Sequence, residues 1–219
     1  MVAQGGRQFA VSQELLLAVE SSSPLLSVAL FRGEELLGEE EVQAPASTGL
    51  PALTRLLLEQ HRVDPAELAA LAIGEGPGSY NGLRCGFAYL AGINLPRKPK
   101  PLKRAQVGSL AAMALGTASP RSRRGCILNA RRQQFFYATF EVDGRDIRPL
   151  GEGLVGRLEE IPDLASESIA WASYEVEGFT AAFPRAASVG RLALKELSKT
   201  EPNRTTPWEP RYLRPPVAV

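Results

Sequence analysis

The chain has 219 residues, with 44% hydrophobic and 22% charged side chains, a composition typical of soluble globular proteins with one large domain or two small ones. Its net charge of +1 excludes a globally basic nucleic-acid-binding protein but permits a local basic face. No apolar run approaches the roughly 18 residues that a membrane span requires, and residues 1–13 lack a long apolar signal core. We therefore expect a cytoplasmic protein without a membrane partner, in which residues 1–13 form a disordered extension.

The first part of the chain predicts a meander of strands followed by a helix. A helix is predicted from Ser47 or Thr48 to His61, and its leucines cover more of its surface than one core-facing stripe requires. A meander followed by a strand that is reached through a helix is typical of a mixed sheet with helical crossovers. Apolar or alternating residues predict the three strands of the meander: Leu15–Glu20, Leu26–Phe31 and Glu35–Val42.

The most distinctive stretch is the glycine-rich loop from Gly74 to Arg84, which follows an apolar run that predicts a buried strand. Ser79 or Asn81 can cap the helix predicted after it, Asn81 to Leu95. Strand, loop and helix N-terminus could together bind an anion, because free amides and the helix dipole point the same way. A plain turn between a strand and a helix is the alternative. Neither the Rossmann nor the Walker A fingerprint is present.

Gly76-Pro77-Gly78-Ser79-Tyr80-Asn81-Gly82-Leu83-Arg84 resembles the loop signature of the bacterial TsaB (YeaZ) family, in which threonine is usual at the position of Asn81. Weaker similarity to that family is found at residues 15–23 and 212–214. The resemblance implies an α/β fold of the actin, Hsp70 and sugar-kinase type, a mixed sheet with helical crossovers and two subdomains. We place the subdomains at 14–100 and 101–219, because the proline-rich basic stretch Pro96–Arg104 interrupts every pattern.

The second part of the chain contains further basic segments. Ser119–Arg124 is predicted to be a loop, and it could guide a tRNA phosphate backbone together with Arg97–Arg104, Arg131 and Arg132. Solvated loops are the alternative, which we favour. The other predicted elements are helices at Ser109–Leu115 and Ala187–Lys199, strands at Cys126–Ala130, Gln134–Val142 and Ile169–Ser173, and an extended tail from Pro202.

In the fold type that the resemblance implies, the first hairpin holds phosphate. That hairpin usually begins with an aspartate, whereas this chain has Glu20, which is one methylene longer and would perturb a Mg²⁺–water network. We therefore favour a solvated hairpin tip over a nucleotide site. The candidate phosphate-binding residues are Ser22, Ser23, Gly76, Gly78 and Ser79.

The function that the resemblance implies is a non-catalytic partner subunit in tRNA threonylcarbamoyladenosine modification. The family supports threonylcarbamoyl transfer to the adenosine beside the anticodon, with TsaD as catalytic subunit and TsaE as ATPase. This chain would then need no catalytic residue, metal or cofactor of its own, and ATP and Mg²⁺ or another metal would belong to its partners. It would reach tRNA through the complex. Its single histidine, His61, cannot form a typical zinc site.

Two other functions stay open. A small-molecule or phosphoryl-transfer enzyme of the same fold would need carboxylates to hold Mg²⁺, for which Asp64 and Glu75 are available. A peptidase is the less favoured alternative, because no metal motif or serine–histidine motif supports it.

The two helices of the first part are predicted to form the partner surface. Gly82 and Gly86 lie four residues apart, so another backbone could approach closely there. In the family such helices contact either TsaD or a second TsaB, so one surface would serve a heterodimer and a homodimer. The predicted contact residues are Leu50, Leu53, Leu57, Gly82, Leu83, Gly86, Phe87 and Leu90.

Overall fold

The computed structural model describes residues 13–97, 102–116, 121–161, 167–171, 176–199 and 208–213. The predicted N-terminal extension therefore lies almost entirely outside the described residues, as do residues 98–101 of the first basic stretch. The helices are α1 (Ala46–Gln60), α2 (Tyr80–Asn94), α3 (Ser109–Gly116) and α4 (Ala186–Lys199). The strands are β1 (Leu15–Glu20), β2 (Leu25–Arg32), β3 (Glu35–Gln43), β4 (Leu68–Gly74), β5 (Lys103–Val107), β6 (Arg121–Asn129), β7 (Phe135–Asp143), β8 (Asp146–Pro149), β9 (Leu154–Gly156), β10 (Glu167–Trp171) and β11 (Thr180–Ala181).

The first sheet has the strand order β3-β2-β1-β4-β5. Strands β1, β2 and β3 form the predicted antiparallel meander, and β4 and β5 run parallel to β1. Helix α1 connects β3 to β4, and helix α2 connects β4 to β5. The mixed sheet with helical crossovers is thus confirmed, and the parallel strands β1 and β4 end at the same edge.

The second sheet has the order β11-β10-β6-β7-β8, with β9 paired to β7. Its strands β6 and β7 form a long antiparallel hairpin, whereas β10 runs parallel to β6 and β11. The sequence predicts the hairpin and β10, but not the short strands β8, β9 and β11. These strands have two to four residues, too few for an alternating pattern to be recognised.

Helices cover both faces of the first sheet. On one face, Leu17, Val19 and Val28 belong to the apolar cluster that includes leucines of α1 and α2. On the other face, Leu16 and Phe31 belong to the cluster that includes α3, α4 and the second sheet. None of the helices within the described ranges is long and apolar enough to cross a membrane.

Strand β5 lies beyond residue 100, where the sequence predicts the subdomain boundary, yet it pairs with β4 in the first sheet. The first sheet therefore extends to Val107. Helix α4 also packs on this sheet, with contacts to β1, β2, β4 and β5. The division into 14–100 and 101–219 stays a prediction, but the chain after residue 100 contributes to both sheets.

The predicted loop Ser119–Arg124 is wrong for its last four residues, which begin β6 and pair with β7. Alternate residues of a strand point to opposite faces, so a run of basic residues can still place one of them inside. Arg124 is fully buried. Its guanidinium donates to the carbonyl oxygen of Ala114 at 2.8 Å, and its Nε donates to the hydroxyl of Ser122 at 2.9 Å.

Candidate functional site

The hairpin tip after β1 and the glycine loop after β4 meet at the edge where these two strands end. The backbone amide of Ser79 donates to the carbonyl oxygen of Ser22 at 2.6 Å. A side chain at Gly78 would collide with that same carbonyl, so only glycine permits this contact. The structure therefore brings together the residues predicted to bind phosphate, but it places the two loops directly against each other.

The prediction of a solvated hairpin tip is wrong. Ser21 is fully buried, and Ser22 and Ser23 are each only 3% exposed. The hydroxyl of Ser23 donates to the carbonyl oxygen of Leu25. The tip is buried because the glycine loop and the first turn of α2 lie over it, a long-range contact that local sequence does not indicate.

Glu20 ends β1 inside this contact, and its carboxyl is fully buried. One carboxyl oxygen accepts the Ser22 amide at 2.6 Å, and the other accepts the Ser109 hydroxyl at 2.9 Å. Ser109 in turn accepts the amide of Gly76 at 3.2 Å. Burial raises the pKa of Glu20 above its ordinary value, and the hydrogen bonds from Ser22 and Ser109 oppose that shift. Glu20 thus links β1, the glycine loop and α3.

The start of α2 is capped by Ser79, whose hydroxyl accepts the amide of Gly82 at 3.2 Å. Asn81, the other predicted cap, is exposed. The amide of Ser79 and one amide of the first helical turn are thus already bonded within the chain. With both oxygens of Glu20 also occupied by protein donors, these residues do not fit a nucleotide phosphate and its Mg²⁺.

The prediction that Gly82 and Gly86 allow a partner backbone to approach is also wrong. The group that approaches is Ser21 of the same chain. A side chain at Gly82 would collide with the Ser21 carbonyl oxygen, and one at Gly86 would lie 2.5 Å from the Ser21 hydroxyl. The small residues of α2 therefore accommodate the hairpin tip.

The predicted leucine and phenylalanine contacts lie in the core of this chain. Their side chains are at most 7% exposed, because they form the apolar layer between the two helices and the first sheet, so little of their surface is available to a partner. The residues concerned are Leu50, Leu53, Leu57, Leu83, Phe87 and Leu90.

The outward sides of α1 and α2 present different residues, which the sequence prediction missed. Leu56 on α1 is 43% exposed, and Ala52 lies one turn before it. On α2, Ala88 and Gly92 are exposed one turn apart, and a side chain added at Gly92 would meet no atom within 4 Å. We call Ala52, Leu56, Ala88 and Gly92 the outer helix face. The i, i+4 spacing of exposed apolar or small residues was the signal available in the sequence.

A groove lies between the C-terminal part of α1 and α2, with a volume of about 430 Å³. Leu58, Val63, Tyr89 and Ile93 give it an apolar floor. Polar residues also line it: Thr54, Arg55, Glu59, Arg62 and Asp64.

The C-terminal segment Trp208–Leu213, which we call the strap, crosses the glycine loop. The amide of Arg211 donates to the carbonyl oxygen of Glu75 at 2.7 Å. The ring of Trp208 packs edge-on against Phe87 of α2, with centroids 5.3 Å apart. Such aromatic pairs stabilise beyond their buried area. The strap therefore attaches the end of the chain to the glycine loop and to α2.

The carboxylates considered for Mg²⁺ have structural partners. Asp64 accepts the amide of Ala66 at 2.7 Å, and Glu67 accepts the amide of Asp64 at 2.8 Å, so the two carboxylates form a capping box. Glu75 lies under the strap, where burial raises its pKa and Arg211 lowers it. The only histidine, His61, caps the end of α1. The described residues contain no cluster of three potential metal ligands.

Comparison with known proteins identifies the family. The family model for TsaD, tRNA N6-adenosine threonylcarbamoyltransferase, matches residues 40–198. The structure of YeaZ from Pseudomonas aeruginosa is similar with a TM-score of 0.73 and 21% sequence identity, covering 85% of this chain and 93% of that chain. An uncharacterized protein with similarity to peptidase YeaZ from Pseudomonas aeruginosa gives a TM-score of 0.71 at 21% identity, covering 92% of this chain and 100% of that chain. The chain therefore belongs to the TsaD tRNA N6-adenosine threonylcarbamoyltransferase family, as a member similar to YeaZ (TsaB).

Proposed function

We propose that this chain is a non-catalytic partner subunit in tRNA threonylcarbamoyladenosine formation, which binds and supports a TsaD-like catalytic subunit in the cytoplasm. The observation that carries the proposal is the direct contact between the hairpin tip and the glycine loop, through the Ser79 amide and the Ser22 carbonyl. Family membership supplies the reaction, and this contact fills the place where the fold type binds phosphate. A TsaE-like ATPase is the second expected partner, and ATP and the metal are used by the partner subunits.

The surface proposed for the TsaD-like subunit is the outer helix face. Its small residues on α2 would let a partner helix pack at the usual interaxial distance of about 8–10 Å. Leu56 supplies an apolar side chain that is 43% exposed in the free chain, and the neighbouring groove can accept a partner side chain. An apolar centre with the charged rim of Arg55 and Glu59 is the usual composition of a protein interface. A standard interface of about 1,600 Å² is within reach of two helices from each partner.

The matched pair Leu56→Asp and Leu154→Asp tests this surface. Both leucines are largely exposed, at 43% and 50%, but Leu154 lies in β9 of the other sheet. We expect Leu56→Asp to weaken binding to the TsaD-like subunit by about 30-fold or more, because burying a lone charge at an interface costs about 2 kcal/mol or more. Leu154→Asp should bind as the parent does, as measured by calorimetric titration.

Thermal melts of the free variants provide the control. Because both sites are exposed, each variant should remain within about 0.5 kcal/mol of the parent in stability. Full binding by folded Leu56→Asp would contradict the proposed surface. A homodimer formed through the same face should dissociate when the TsaD-like subunit is added, which sedimentation measures directly.

The catalytic part of the proposal has its own test. We expect the pure chain to transfer no threonylcarbamoyl group to tRNA alone and to increase transfer when a TsaD-like and a TsaE-like subunit are present. Saturable transfer by the chain alone, free of the other subunits, would contradict a non-catalytic role.

A further inference from the structure

The turn between β6 and β7 has a backbone conformation that ordinary residues avoid. Arg131, Arg132 and Gln133 follow one another with φ of 64°, 54° and 61°. Only glycine adopts this left-handed region without a steric cost. The turn is held by the amide of Ala130, which donates to Gln134 at 2.8 Å, and by the amide of Arg131, which donates to the side chain of Asn129 at 2.7 Å. The chain thus keeps two arginines where glycine would fit at lower cost.

The arginine side chains at this turn are exposed and have no carboxylate partner among the described residues. At the opposite end of β7, by contrast, Arg145 pairs with Glu34, and Arg148 pairs with Glu141. A third exposed arginine, Arg157, follows Gly156, and Gly156 pairs with Phe135 beside the turn. We call Arg131, Arg132 and Arg157 the turn cluster.

Exposed guanidinium groups without carboxylate partners are suited to phosphate, because their planar donors match two phosphate oxygens. Strain that is retained at a surface turn is commonly associated with function. The turn cluster is formed by the exposed end of the β6–β7 hairpin and by the residue that follows the neighbouring strand β9. Because the whole chain has a net charge of only +1, phosphate binding would depend on a local group of basic residues such as this one.

We propose that the turn cluster contacts the phosphate backbone of the tRNA, an inference that rests on the proposed function for the identity of the RNA. The contact is to backbone phosphates, so it contributes affinity and orientation and does not read the base sequence. This chain then takes part in positioning the tRNA directly, in addition to supporting its catalytic partner.

The test is tRNA binding by the full chain, measured by fluorescence anisotropy over a range of salt concentrations. For Arg131→Gln with Arg132→Gln, we expect the slope of log affinity against log salt to flatten by about 1.4–1.8, because each lost phosphate contact removes about 0.7–0.9. At about 0.1 M salt this corresponds to binding about 25- to 60-fold weaker. Arg131→Lys with Arg132→Lys, which keeps the charges, should retain most of the affinity.

The matched control is Arg145→Gln with Arg148→Gln, which removes the same charge at the opposite end of β7. It should bind tRNA within about twofold of the parent. If affinity depended only on net charge, both double variants would weaken tRNA binding equally. Gln133→Gly relieves strain but keeps the arginines, so it should raise the melting temperature and leave affinity unchanged. Together these variants separate a specific contact from net charge and from turn geometry.

Three outcomes would overturn the inference. The first is equal affinity and salt slope for the Arg131/Arg132 double variant and the parent. The second is no measurable tRNA binding by the chain at about 0.02 M salt, where phosphate contacts are strongest. The third is a double variant that no longer binds the TsaD-like subunit but still binds tRNA, which would show that the turn cluster contacts the protein partner. A chain that binds its partner but not tRNA would refute this inference and leave the proposed function intact.

Discussion

The buried carboxyl of Glu20 should make the stability of this fold fall as the pH rises. Burial holds its pKa above the ordinary value in the folded chain, so the folded state keeps a proton that the unfolded state has released. The contribution of Glu20 to the free energy of unfolding therefore decreases as the pH rises above 4.5, the ordinary pKa of a glutamate side chain. It decreases no further once the pH exceeds the pKa of Glu20 in the folded chain.

Glu20→Gln isolates this contribution, because glutamine has nearly the same shape and no charge. Its amide oxygen can still accept the Ser22 amide, whose present distance to the carboxyl is 2.6 Å. The altered hydrogen bond with Ser109 costs about 1 kcal/mol at every pH. That cost does not change with pH. Relative to the parent, the variant's free energy of unfolding rises by about 1.4 kcal/mol for each pH unit between the pKa of Glu20 in the unfolded chain and its pKa in the folded chain.

Urea unfolding of both proteins from about pH 4.5 to about pH 8 measures this difference, and contributions from all other titrating groups cancel in it. Glu20→Ala serves as the control, because it also lacks the titrating carboxyl but leaves the buried Ser22 amide without an acceptor. It should therefore be less stable than Glu20→Gln by about 1–3 kcal/mol at every pH. A difference between Glu20→Gln and the parent that stays constant with pH would refute the reasoning. So would a difference that moves in favour of the parent as the pH rises.

Two further predictions concern α2 and the strap. Gly82→Ala should lower the free energy of unfolding by about 1–3 kcal/mol, because its side chain would collide with the Ser21 carbonyl oxygen. Gly92→Ala in the same helix meets no atom within 4 Å and should raise that free energy by about 0.5–1 kcal/mol; equal shifts in urea unfolding would contradict both expectations. Trp208→Ala removes the contact with Phe87 and should cost about 1–2 kcal/mol, with faster proteolysis of the C-terminal segment. Unchanged proteolysis would show that Trp208 does not hold the strap.

Sequence patterns predicted the main elements of the first sheet because those patterns are local. Strong apolar runs identified β1 and β4. Strand β5 was missed because its first residues, Lys103 and Arg104, continue a basic, proline-rich stretch. Pairing with β4 determines that strand, and no local pattern reports such pairing.

The candidate site was predicted in its residues but not in its arrangement. Apolar residues that recur with the helical period of 3.6 indicate that α2 has an apolar side. That period does not show which group packs against the small residues next to it. Gly82 was therefore assigned to a partner contact, whereas Ser21 of the same chain occupies the space. The bond between Glu20 and Ser109 joins residues 89 positions apart, and a single sequence gives no signal for a contact of that range.

The packing of α4 on the first sheet also determines when that sheet can finish folding during synthesis of the chain. Strand β5 completes that sheet at Val107, but α4, which covers one of its faces, begins only at Ala186. At a translation rate of about 5–20 residues per second, the roughly 80 residues between them take about 4–16 s to emerge. During that interval the apolar face carrying Leu16 and Phe31 lacks one of its covering helices. The nascent first sheet therefore exposes apolar surface of the kind that chaperones bind, and it cannot complete its packing until α4 has been synthesised.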